Sequence, residues 1–323
     1  MSHTRLIIAL LGLNIIAAVS SLFAAGFPMA DWMAGDDAAR MILAELRLPR
    51  MFTGLIVGAG LGGAGAALQG YFRNPLADPG IVGVTSGAGL GAVTALYFGF
   101  AGVFAYAVPA AAILGAGLGA LLLLLIAGPR ARATTLILSG VAVGALANAM
   151  TALLMNFSPN PWALSEIAYW LMGSLNNASW TEVQIALPLI AAGLALLLIN
   201  RRALDALSLG EDTAASLGFD LGRVKLLIVA GTALAVGGGV AVAGAVGFVG
   251  LVVPHLLRRF VAHEAGRLIL PSALGGAALL SLADTATRIM SGQGLPLYLG
   301  VATALLGAPF FLWLVRTAAR RAP

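Results

Sequence analysis

The pattern of apolar and polar positions divides the chain into ten apolar runs separated by short polar breaks. Runs of about 20 residues are long enough to cross a bilayer as helices, and inside lipid only a helix satisfies its own backbone polar groups within one segment. The first run, residues 6–26, follows Arg5. Its charged start and the small residues Ala24 and Ala25 also fit a signal peptide, but its length and the runs behind it favour an uncleaved first helix. The next runs occupy residues 51–71, 81–100, 103–127, 136–157 and 183–200. A seventh starts at Lys225, an eighth, shorter one ends in PHLLRR at Arg259, and the last two cover residues 268–290 and 296–315.

The stretch 46–89 organises this pattern. It places Arg47 and Arg50 before a glycine-studded run, then a tight polar turn, RNPLADPG, and then a second glycine-rich run. Gly58 and Gly62, and again Gly83 and Gly87, have the small-xxx-small spacing that lets helices pack closely. Elsewhere the breaks carry helix signals. Asp36 and Asp37 suit the N-terminus of a short segment reaching Glu45. Asn160 can cap a short helix with Pro161 in its first turn. Residues 201–224 form the longest charged island: two amphipathic pieces, divided by Gly210 and closed by Gly218, with Glu211 and Asp212 at the start of the second.

Composition agrees with the pattern. Of 323 residues, 60% are hydrophobic and only 10% charged, with a mean hydropathy of +0.98, whereas soluble domains carry about 25% charge. The net charge of +5 does not point to nucleic acid, because the basic residues sit at the ends of apolar runs instead of forming one stripe. With ten spans both termini share a side. Taking that side as cytoplasmic leaves fourteen basic residues inside and only Arg40, Arg47, Arg50 and Arg288 outside, the expected asymmetry. No cysteine is present, so disulfides and thiolate chemistry do not arise.

Enzymatic motifs are weak. Residues 60–65 match GxGxxG, but they lie inside a span, where helix packing explains them, and not between a strand and a phosphate-binding helix start. The single lysine, Lys225, follows Val224, so no Gly-Lys-Ser/Thr loop for ATP exists. His3, His255 and His263 lack the spacing of a zinc helix, and no cofactor is implied. Asp284 is an ionisable group predicted inside the ninth span, a functional suspect by default, with Arg288 four residues on as a local partner.

The ordered motifs LRLPR at residues 46–50, LQGYFRNPLADPG at 68–80, GVTSGAG at 83–89 and GFVGLVVPHLLRR at 247–259 resemble the FecCD family of ABC importer permeases. The resemblance implies an all-α, polytopic membrane protein of about ten transmembrane helices, a single permease domain over residues 1–323. It further implies a homodimer in the bacterial inner membrane, served by two cytoplasmic ATPase subunits and one periplasmic binding protein. The cargo would be a ferric siderophore or haem, with cobalamin as the alternative. Through the same resemblance Arg47, Arg50 and Arg288 would dock glutamates of the binding protein, although arginines at span ends also anchor helices by snorkelling. Gly210, Glu211, Ala214 and Gly218 fall on the pattern of an ATPase-coupling loop, whose alternative is a solvated linker. The chain departs from the family at Gly294-Leu295-Pro296, where an acidic residue often precedes Leu-Pro. An ion-coupled transporter or channel would show several intramembrane acids, and an intramembrane enzyme would show a catalytic constellation; the spans offer neither.

Overall fold

A computed structural model of the protein describes residues 3–319, apart from Ala25, Ala105, Pro129, Arg130, His263, Gly292, Gln293 and Leu295. The sequence points concerning Ala25, Arg130, His263, Leu295, Arg320 and Arg321 therefore lie outside the described residues. The elements in chain order are α1 (His3–Phe23), α2 (Met29–Met33), α3 (Asp37–Met41), a π-helical turn (Ile42–Arg47), α4 (Leu48–Tyr71), α5 (Val84–Tyr97), α6 (Ala107–Ala127), α7 (Ala133–Asn156) and α8 (Pro161–Leu171). They continue as α9 (Trp180–Ile199), α10 (Arg201–Ser208), α11 (Glu211–Ser216), α12 (Leu221–Ala243), α13 (Val249–Leu257), α14 (Ala265–Ser291) and α15 (Leu299–Ala319).

The bundle is built around α4, whose strongest partner is α14. Glycine makes that approach possible. A side chain on Gly58 would collide with the Gly276 carbonyl, and one on Gly62 with the Ser272 carbonyl, so the two backbones touch where a Cβ would stand. α5 and α6 meet in the same way at Gly87 and Gly115. Without a hydrophobic effect between helices in lipid, such close packing is the main source of association. Large apolar side chains instead cover the outer helices: Ile15 and Ile16 on α1, Leu125 and Ile126 on α6, Leu138 and Leu146 on α7 are all well exposed, as a lipid-facing surface requires.

The polar signals between the spans are used as expected. Asp36 accepts from the Ala39 amide at 3.1 Å and starts α3. Asn160 accepts from the Ala163 amide at 2.9 Å, with Pro161 in the first turn of α8. Ser179 and Glu182 form a reciprocal capping box on α9.

Two spans are shorter than their apolar runs. α5 has 14 residues and α13 has 9, or about 21 and 14 Å at 1.5 Å per residue, against a hydrocarbon core of about 30 Å. Among the described residues, seven helices are long and apolar enough to cross a membrane. The missing lengths are supplied by irregular backbone that is partly buried among helices and partly lines a cavity of about 180 Å³. Gly83, with φ +75°, caps α5 after the 3-10 turn Pro79–Val82, and Phe248, with φ +66°, redirects the chain into α13. Non-helical backbone is tolerated at membrane depth only where protein surrounds it or it lines a water-filled cavity.

α4 has 24 residues, so its ends stand about 36 Å apart. Arg50 in its first turn meets Asp284 near the end of α14, while Gly70 in its last turn faces Leu204 of α10. The arginine cluster and the charged island thus occupy opposite ends of one helix pair.

Candidate functional site

At the first end, Arg50 grips Asp284 with both arms of its guanidinium: Nε and Nη2 each donate to a separate carboxylate oxygen at 2.8 Å. Arg288, one turn beyond Asp284 on α14, stands 3.6 Å from the same carboxylate and donates to the Ser21 carbonyl at 2.7 Å. Arg47 closes the π-helical turn, donates to the Ala24 carbonyl at 2.6 Å and lies 5.7 Å over the Phe27 ring. Asp284 is 2% exposed, and the Arg50 and Arg288 side chains are 14% and 12% exposed. Snorkelling arginines put their heads in water; these heads turn into the protein. Three guanidiniums around one carboxylate leave an excess of two positive charges.

The local partner expected for Asp284, Arg288, is present but is the more distant one. Arg50 wins because the glycine contacts between α4 and α14 bring their backbones together. Its pairing spans 234 residues and leaves no local signal in the sequence.

At the opposite end, α10 and α11 form the expected pair of short helices. α10 buries Ala203, Leu204, Ala206 and Leu207 and is tied to α14 by the Gly266 amide, which donates to Asp205 Oδ1 at 2.7 Å. Gly210 and Gly218 both have positive φ, +118° and +88°, the region that disfavours a side chain. Gly210 turns the chain between the two helices and Gly218 closes the second. Ala214 is fully buried beneath α11, and Glu211 opens that helix. Glu211, Tyr71 and Lys225 border a cavity of about 220 Å³, and Lys225 donates to the Gly128 carbonyl at 2.7 Å. The turns beside α10 and α11 expose Leu209 and Leu217 at 69% and 61%. The two amphipathic sequence pieces, ALDALSL and EDTAASL, end on these leucines; that both point outward is what only the structure shows.

A third feature on the same side of the bundle also went unnoticed. Arg258 Nη2 donates to Gln69 Oε1 at 2.8 Å, joining the turn after α13 to the last turn of α4. Among the described residues no group of three or more His, Asp or Glu side chains could hold a metal ion.

Comparison with known proteins decides the class. Residues 6–317 match the FecCD transport family. The chain belongs to that family. The FecCD permease is 43% identical to a cobalamin import system permease of Halobacterium salinarum, over 87% of this chain and 74% of the relative. It is 38% identical to the Fe(3+)-citrate import system permease of Bacillus subtilis, over 88% and 85% of the two chains. A solved metal-chelate type ABC transporter in an inward-facing conformation superposes with a TM-score of 0.86 at 33% identity, covering 98% of this chain and 99% of that one. The FecCD permease is therefore an all-α, multi-pass transmembrane component of an ABC importer, a type that works with ATPase and substrate-binding partners.

Proposed function

We propose that the FecCD permease forms a homodimer whose two-fold axis carries an iron chelate, a ferric siderophore or haem, inward across the bacterial inner membrane. The observation that carries a chelated-metal cargo is the full-length likeness to the metal-chelate type transporter, and the ferric citrate relative supports iron. Cobalamin is the second reading, favoured by the 43% identity to a cobalamin permease. Both termini lie in the cytoplasm, the orientation that the charge asymmetry favours. The chain itself performs no bond chemistry; two separate ATPase subunits hydrolyse ATP. They act on Gly210, Glu211, Ala214 and Gly218, gripping the island by the exposed Leu209 and Leu217, an amphipathic surface of the kind that fits a groove. Their closure rocks the spans between inward-open and outward-open states.

On the other side, Arg47, Arg50 and Arg288 seat the periplasmic binding protein, because the positive charge they carry in excess of Asp284 suits its carboxylates. Arg50→Glu would set a second carboxylate against Asp284 and disrupt the fold, so Arg47 is the cleaner probe. Arg47→Glu weakens docking of loaded binding protein in proteoliposomes, whereas Arg40→Glu, an exposed control, leaves it unchanged. Equal loss from both variants defeats the docking role. Uptake of labelled ferric siderophore, haem and cobalamin, with and without the ATPase subunits, tests the transport reading. Accumulation that persists without ATPase refutes it, and the ligand retained by the cognate binding protein identifies the cargo.

A further inference from the structure

The α10 end holds a second cavity, of about 180 Å³, between the last turn of α4, α10, the turn after α13 and the start of α14. Its polar wall is Gln69, Arg73, Ser208 and Arg258, and its apolar wall includes Ala265 and Leu268. Gln69, 1% exposed, donates through Nε2 towards the Gly250 and Leu251 carbonyls at 3.4 and 3.3 Å. That fixes its amide so that Oε1 receives Arg258 Nη2 at 2.8 Å. The Arg258 guanidinium is thereby held at the cavity by a neutral group, and its Nε is buried without a hydrogen-bond partner. Among the described residues it is one of six buried side-chain polar atoms without a partner, and the one that belongs to a guanidinium lining this cavity; such a group calls for an explanation.

Among the described residues no acid lines this cavity. Of those on the adjoining segments, Asp205 takes the Gly266 amide at 2.7 Å and Glu264 pairs with Arg267 at 2.9 Å. Burial accordingly pushes the Arg258 pKa below its ordinary value, the direction expected of a desolvated cation. Arg73 joins the same wall from a left-handed backbone position, φ +49°. A non-glycine residue adopts that region only at a cost in backbone strain.

We propose that the cavity binds a phosphate group, carried by an anionic lipid headgroup or free in the cytoplasm. Two arginines and a free N–H match the several acceptor oxygens of a phosphate, which guanidinium binds in paired geometry. Basic pockets between spans at the cytoplasmic face also take anionic headgroups. Because α10 supplies one wall, a bound phosphate braces the coupling island against α4 and α14. The site concerns the transporter's membrane and energy-coupling side, and it holds whichever chelate is carried.

The test is thermal unfolding of the purified permease in two settings. In lipid-free detergent, inorganic phosphate is titrated; in nanodiscs, phosphatidylcholine alone is compared with phosphatidylcholine plus cardiolipin. The wild type gains several degrees in at least one setting, Arg258→Gln loses the gain, and Arg73→Gln, changed at an exposed residue, reduces it. Arg259→Gln, which removes an exposed guanidinium 4.6 Å over Phe260, keeps it. A gain in detergent assigns free phosphate, and a gain confined to cardiolipin nanodiscs assigns the headgroup. Absence of a gain in both settings overturns the proposal, as does a gain that survives Arg73→Gln undiminished. Should Arg258→Gln not fold, the Arg73 variant carries the comparison.

Discussion

Asp284 sits 2% exposed inside the helix bundle, and its ionised form is held by two hydrogen bonds of 2.8 Å from Arg50 and a longer approach of 3.6 Å from Arg288. Replacing Arg50 by Gln removes both short bonds and leaves the buried carboxylate dependent on Arg288. Breaking a buried pair by deleting one partner costs about 3–5 kcal/mol, because the remaining charge is uncompensated. With Arg288 still nearby, the lower end applies, about 3 kcal/mol, which is on the order of a hundredfold in the unfolding equilibrium. Asp284→Asn leaves the guanidiniums of Arg50 and Arg288 close together without their shared counter-charge and costs a similar amount. The double variant Arg50→Met with Asp284→Leu removes both charges and recovers most of either loss. Equilibrium unfolding of the reconstituted permease by sodium dodecyl sulfate measures the wild type, the two single variants, this double variant and the matching Arg50→Gln, Asp284→Asn double variant. Single losses that add in a matching Arg50→Gln, Asp284→Asn double variant would show the two side chains to be energetically independent and refute the reasoning.

Gly62→Leu forces a side chain into the Ser272 carbonyl of α14, so it separates α4 from α14 and abolishes stable expression; Gly117→Ala, with open space around it, is tolerated, and equal yields would contradict the packing account. Gly218 has φ +88° with free space around it, so Gly218→Val strains only the coupling turn, by on the order of 1–2 kcal/mol. Transport falls while expression persists, and ATPase activity that still responds normally to loaded binding protein argues against coupling there. A cysteine at Ser208 reacts with an impermeant maleimide only from the cytoplasm and one at Ser165 only from the periplasm, both positions being exposed; reversed labelling at either site breaks the topology.

Run length, composition and end charges determined the class by themselves, because in lipid the backbone must close its hydrogen bonds within each helix and every span announces itself locally. The caps at Asp36 and Asn160, the paired helices either side of Gly210 and the close-packing role of Gly58 and Gly62 were equally legible, since each depends on residues a turn or two apart. What the chain could not reveal locally was decided by packing. The apolar run that contains α5 looked long enough to span and the one that contains α13 already read as shorter, yet only tertiary packing lets irregular backbone replace the missing turns. Asp284 had an evident neighbour in Arg288, yet its main partner is Arg50, chosen by the glycine contact between α4 and α14. Likewise Gln69, Arg73 and Arg258 lie far apart in sequence and came to one cavity only when α4 and the α13 turn were folded together. Local chemistry names the elements; the energy of a buried charge depends on which other element folding places beside it.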